Sequence, residues 1–110
     1  MNWKMFSRIS FLLMAICFTS WSNADTVWID VRSLIEHSID NIEGDIRISH
    51  TDIVQEVNKV FPDKSTEIRL YCRSGVRAGK AMSALKEVGY TSVSNVGGIG
   101  DARKERGLRE

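Results

Sequence analysis

The chain has 110 residues, 43% of them hydrophobic, with 15 Lys and Arg against 14 Asp and Glu and a formal net charge of +1. That length holds one domain, and so even a charge excludes the basic surface that nucleic acid or an anionic membrane would require. Its two histidines, His37 and His50, have no cluster of cysteines beside them, so no metal site and no cofactor is expected.

Lys4 and Arg8 are the only charges before Asp25, residues 9–18 are apolar, and Ser22-Asn23-Ala24 offers small side chains to a leader peptidase. This predicts a cleaved export signal over residues 1–24 and a mature domain over residues 25–110, placed in the periplasm. The apolar run is about half of the ~20 residues a spanning helix needs, so no membrane association is expected after cleavage. Ile16, ahead of Cys17, is too large for a lipid-anchor signal. Losing the leader removes Cys17, Trp3 and Trp21 and leaves 86 residues with 13 basic and 14 acidic side chains. Cys72 is then a single thiol in a compartment where paired cysteines oxidise, so no internal disulfide is expected.

Residues 26–31 are apolar enough for a buried parallel strand ending at Asp30 and Arg32. Ser33 with Glu36 forms a capping box for a short helix. A turn at Gly44 leads to a short strand over residues 45–48. Residues 52–61 carry Ile53, Val54, Val57, Val60 and Phe61 on one helical face, and Pro62 stops that helix. Residues 67–71 read as a strand, and Ala78, Ala81, Met82, Leu85 and Val88 recur at helical spacing up to a left-handed cap at Gly89. A last strand covers residues 93–96, Gly97-Gly98-Ile99-Gly100 lets backbone pass close to the loop after Cys72, and residues 101–110 form a short helix or a frayed tail. Alternating strands and helices predict an α/β fold in three layers, a small parallel sheet with helices on both faces. Trp28 reads as core or sheet-edge packing.

Cys72 falls at the strand-to-helix turn, outside the core pattern, with Arg73 and Arg77 beside it and Lys80 further on. Loop amides and a helix N-terminus converging there favour a negative sulfur, and neighbouring cations add to this, so the thiol pKa is expected to fall below its free value of about 8.5. The carboxyl end of a strand is also where parallel sheets bind ligands. The local positive charge suits a small anionic substrate.

Cys72-Arg73-Ser74-Gly75-Val76-Arg77 with a small-residue helix behind it resembles the active-site loop of the rhodanese sulfurtransferases. The resemblance extends to Val27-Trp28-Ile29-Asp30-Val31-Arg32, to Glu36, to Ile42-Glu43-Gly44-Asp45-Ile46 and to Asn95-Val96-Gly97-Gly98. It departs at Asn41, Asp45 and Ser49, where the family commonly has histidine, alanine and proline. The resemblance implies a Cys72 persulfide as the sulfur carrier and Asp30, Arg32 and Glu36 as a polar cluster at the site's edge, with a structural ion pair as the simpler role for those three. For such chemistry the amides of residues 73–77 would cradle the outer sulfur. Arg77 would hold the anionic end of a donor such as thiosulfate, with Arg73 in second place. The acceptor would be cyanide or a thiol, and a monomer is the simplest state. Two other readings stand beside this one: a non-enzymatic persulfide carrier, and a cysteine-dependent phosphatase or arsenate reductase. The second needs an arginine six residues after the cysteine, where Ala78 stands.

Overall fold

The computed structural model describes residues 26–109, so the expected leader over residues 1–24 lies outside the described part. The strands are β1 (Val27–Asp30), β2 (Ile46–Arg47), β3 (Ile68–Cys72) and β4 (Val93–Gly98). The helices are α1 (Leu34–Ile39), α2 (Ile53–Val60), α3 (Val76–Glu87) and α4 (Ile99–Glu105). All strand pairs are parallel, in the order β2-β1-β3-β4. Each connection therefore crosses over the sheet, and helices on both faces cover it, as the alternation in sequence requires.

Period-two alternation along β3 divides the interior. Ile68, Leu70 and Cys72 face α2 and α3, where they join Ile29, Val31, Ile53, Val57, Ala81 and Leu85. Tyr71 faces α4 with Ile42 and Ala102. The first cluster holds 13 buried residues and the second three, so the α2/α3 face carries most of the hydrophobic stability. The smaller face is tied by polar contacts instead. Tyr71 Oη donates to Asp45 at 2.6 Å, Arg106 forks onto the same carboxylate at 2.7 and 3.1 Å, and its guanidinium lies 4.3 Å from the Trp28 ring centroid. Trp28 is thus packing at the sheet, half-buried beneath a cation.

Local signals act as the sequence suggests. Ser33 and Glu36 form the reciprocal capping box of α1, and Gly89 adopts φ +103° just past α3. Residues 99–105 are helical, which resolves the choice between helix and tail. Strand β4 runs two residues further than expected, to Gly98, because a bulge lets it stay paired with β3 as far as Cys72. Among the described residues, no helix is long and apolar enough to cross a membrane.

Candidate active site

Cys72 is the last residue of β3, opposite Gly98 in the ladder, and it is 1% exposed. The expectation that it lies on the turn, outside the core, is therefore corrected. Strand pairing continues one residue further than the apolar pattern suggests, and the alternation that buries Ile68 and Leu70 buries Cys72 as well. The chain then turns through Arg73 and Ser74 to Gly75, the N-cap of α3, at φ +99°. Only glycine takes that backbone conformation without strain. A Cβ there would also lie 3.3 Å from the Cα of Gly97, and one on Gly98 would strike the Arg73 carbonyl. Two glycine-containing segments pack backbone against backbone around the sulfur, as expected from Gly97-Gly98.

The turn aims its amides at Cys72. Gly75 N–H donates to Sγ at 3.0 Å. Burial pushes the thiol pKa up, but hydrogen bonds from the amides of Ala78, Ser74, Gly75 and Arg77 outweigh it and leave the thiol below its ordinary value. The expected direction holds, and the amides at the start of α3 are its main cause, with the charge of Arg77 also acting on the sulfur.

The two arginines of the loop differ. Arg77, expected to present both terminal nitrogens to an anion, gives both to Glu36, at 2.7 and 3.0 Å. That pairing holds the Glu36 carboxyl well below the usual range, helped by the Ser33 amide. Arg73 is exposed and has no ion pair among the described residues. It lines a shallow cleft of about 390 Å³ with Arg32, Glu36, Ile39, Asp40 and Ile99.

Asp30 and Arg32 form a second, buried pair at the end of β1. The Arg32 side chain grips both Asp30 oxygens, the closest contact being 2.7 Å, and also donates to the Asp40 carbonyl. His37 Nδ1 lies 2.9 Å from Asp30 Oδ2, so this histidine is a satisfied polar residue. Burial raises the Asp30 pKa, yet bonds from Arg32 and His37 prevail and keep it low. The expected cluster of Asp30, Arg32 and Glu36 is built of two hydrogen-bonded pairs, Asp30 with Arg32 and Glu36 with Arg77, and Arg32 and Glu36 line one cleft.

Sequence reasoning gave no role to Asn95 or Asp101. Asn95 bonds to both Gly75 and Gly97, and Asp101 Oδ2 accepts the Gly98 N–H at 2.8 Å. The signal was available in part: two consecutive glycines ending a strand leave amides that a nearby short polar side chain must receive.

The rhodanese-like domain family matches residues 18–102, most of the chain. The chain belongs to this family, a class of α/β sulfurtransferases, and the buried cysteine ringed by amides at the end of the third strand is the feature its fold supports. The chain is 33% identical over 90 residues to the thiosulfate sulfurtransferase PspE of Escherichia coli K12, covering 82% of this chain and 86% of that protein. A solved structure described as rhodanese with anions from E. coli superposes with a TM-score of 0.66 at 34% identity, covering 69% of this chain and 89% of the other. A tRNA uridine(34) hydroxylase of Buchnera aphidicola is 31% identical over 88 residues, 72% of this chain, but the match spans only 27% of that longer protein.

Proposed function

We propose that the chain is a thiosulfate sulfurtransferase, which carries one sulfur atom on Cys72 and passes it to cyanide or to a thiol. The observation that supports this best is the ring of amides on Cys72 Sγ, with Gly75 N–H at 3.0 Å, since donors that hold a thiolate also hold the outer sulfur of a persulfide. The Cys72 thiolate attacks the outer sulfur of thiosulfate. The Sγ–S bond forms, the S–S bond of thiosulfate breaks, and sulfite leaves with the bonding pair. Cyanide or a thiolate then attacks the outer sulfur, and the electron pair of the broken Sγ–S bond returns to Cys72. Thiocyanate or a new persulfide is released, and the cycle has no net redox change in the protein.

Arg73 is the better partner for the anionic end of the donor, because it has no ion pair among the described residues and lines the cleft, whereas Arg77 is held by Glu36. Ser74, Gly75 and Val76 contribute backbone to the cradle. Arg77 ties the first turn of α3 to α1, and Asp30 with Arg32 anchors the C-terminal half of α1 through His37 and the Asp40 carbonyl. The similarity to PspE, named for thiosulfate, supports the choice of donor. Residues 1–24 have the composition of an export signal, and the mature domain over residues 25–110 is placed in the periplasm.

The test is intact mass of protein from the exported fraction, before and after thiosulfate. The reading predicts loss of the leader and a gain of about 32 Da, one sulfur atom, that cyanide removes as thiocyanate. A chain that takes no sulfur, or takes it equally as Cys72→Ser, overturns the activity.

A further inference from the structure

Strand β4 does not pair evenly with β3. Leu70 faces Asn95 and Tyr71 faces Gly97, so Val96 is an extra residue in the ladder. A bulge interrupts the ladder locally and leaves backbone groups to be satisfied elsewhere. Here the Asn95 side chain takes up the Gly97 amide: Oδ1 accepts that N–H at 2.9 Å. Its Nδ2 donates across to the carbonyl of Gly75, also at 2.9 Å. Only one orientation of the amide satisfies both partners, because one needs an acceptor and the other a donor. The helical residue Gly79 lies beneath this side chain, and a Cβ there would be in van der Waals contact with Asn95 Nδ2 at 3.4 Å.

Gly75 is the residue whose own N–H donates to Cys72 Sγ. At φ +99° and without a side chain, it is held through its carbonyl by two donors, the Gly79 N–H within α3 at 2.9 Å and Asn95 Nδ2, and Asn95 is the one that ties it to the neighbouring strand. Fixing its carbonyl fixes the plane of the next peptide and the course of the first turn of α3, from which the other donors come. Asn95 is exposed and touches neither the sulfur nor the cleft, so its influence passes through Gly75.

We propose that Asn95 is a positioning residue of the sulfur-carrying loop: by bridging the Val96 bulge to the Gly75 carbonyl it keeps the first-turn amides of α3 aimed at Cys72 Sγ. Its purpose rests on the sulfur-transfer reading, but its geometry does not. The experiment measures the rate of Cys72 alkylation by iodoacetamide against pH in wild type, Asn95→Ala and Asn58→Ala. Asn58 is the control because its side chain also makes two hydrogen bonds, accepting from Lys64 and Tyr90, but remote from the loop. Asn95→Ala should raise the midpoint by about one pH unit, a roughly tenfold lower rate well below the midpoint. Its plateau rate at high pH should not fall, since a more basic thiolate is the stronger nucleophile. Asn58→Ala should lower thermal stability and leave the midpoint in place. An unmoved midpoint in Asn95→Ala, or an equal rise in Asn58→Ala, overturns the proposal. Should Asn95→Ala fail to fold, the wild-type chain still decides. The Asn95 side-chain amide resonances should be resolved and should titrate with the Cys72 midpoint, and resonances indifferent to that titration overturn it. Since alkylation needs no sulfur donor, a wild type that alkylates as described but takes no sulfur would sink the sulfur-transfer reading alone.

Discussion

A double-mutant cycle on Glu36 and Arg77 separates anchoring from substrate binding. The two side chains are 29% and 28% exposed and meet through two parallel hydrogen bonds. Exposed pairs contribute about 0.2–1 kcal/mol, and bidentate, partly shielded geometry puts this one near the upper end, about 1 kcal/mol of coupling. Glu36→Ala also removes the acceptor of the Ser33 amide, a capping loss of about 1 kcal/mol, so it should cost about 2 kcal/mol against about 1 for Arg77→Ala. The double variant should cost little more than Glu36→Ala alone. For a domain of this size, 2 kcal/mol lowers Tm by about 8–16 °C. Because the Glu36 pKa is depressed on folding, its contribution is complete above the ordinary value of 4.5 and is lost as pH falls towards the lowered folded value. Urea unfolding at neutral pH gives the coupling, and thiocyanate formation gives KM for thiosulfate. Arg73→Ala should raise that KM about tenfold, from the loss of a charge-assisted hydrogen bond, and Arg77→Ala about threefold or less. Coupling near zero, together with a larger KM effect at Arg77 than at Arg73, would refute the division of roles drawn from the structure.

Cys72→Ser should abolish sulfur transfer and leave the circular dichroism spectrum unchanged, with a stability loss of about 1 kcal/mol because the side chain is buried. The wild-type thiol is more acidic folded than unfolded, so wild type should gain stability over Cys72→Ser as pH rises from the folded midpoint to the free value of about 8.5, and no further; a stability difference that falls with pH over this range contradicts the lowered pKa. Gly98→Ala places a methyl against the Arg73 carbonyl and should cost more than about 2 kcal/mol together with most activity. Gly44→Ala, at φ +89° with no atom within 4 Å, should cost only about 1 kcal/mol and spare catalysis; equal effects in thermal unfolding would show that close packing around the loop is unimportant.

What the sequence made legible was what neighbours in the chain decide. The Ser33 capping box, the Pro62 stop, the Gly89 cap and the apolar periodicities depend on residues a few positions apart, and each appears in the fold. Cys72 was legible as the centre of the site because its flanks form a short motif. Its burial was not, because that depends on β4 pairing up to Gly98, which in turn depends on a bulge that no local preference announces. The partner of Arg77 was hidden for a similar reason: Glu36 lies 41 residues away and had a sufficient local role as the helix cap. Asn95 stood within a recognised motif, yet its two contacts, one of them 20 residues back, exist only once two loops meet.

Because β3 lies between β1 and β4, the reactive centre has no local existence along the chain. Its sulfur comes from residue 72, its anchor through Glu36 from the segment after β1, and its backing from residues 95–98. Parallel strands meet only after long loops close, and such contacts form late in folding. An incompletely folded chain therefore carries an ordinary thiol, mostly protonated at neutral pH and slow to react with oxidants or disulfides. The lowered thiol pKa is present only once these segments have come together, so until then the thiol is chemically muted, during the period when an exposed thiolate would be most open to mispairing with other proteins.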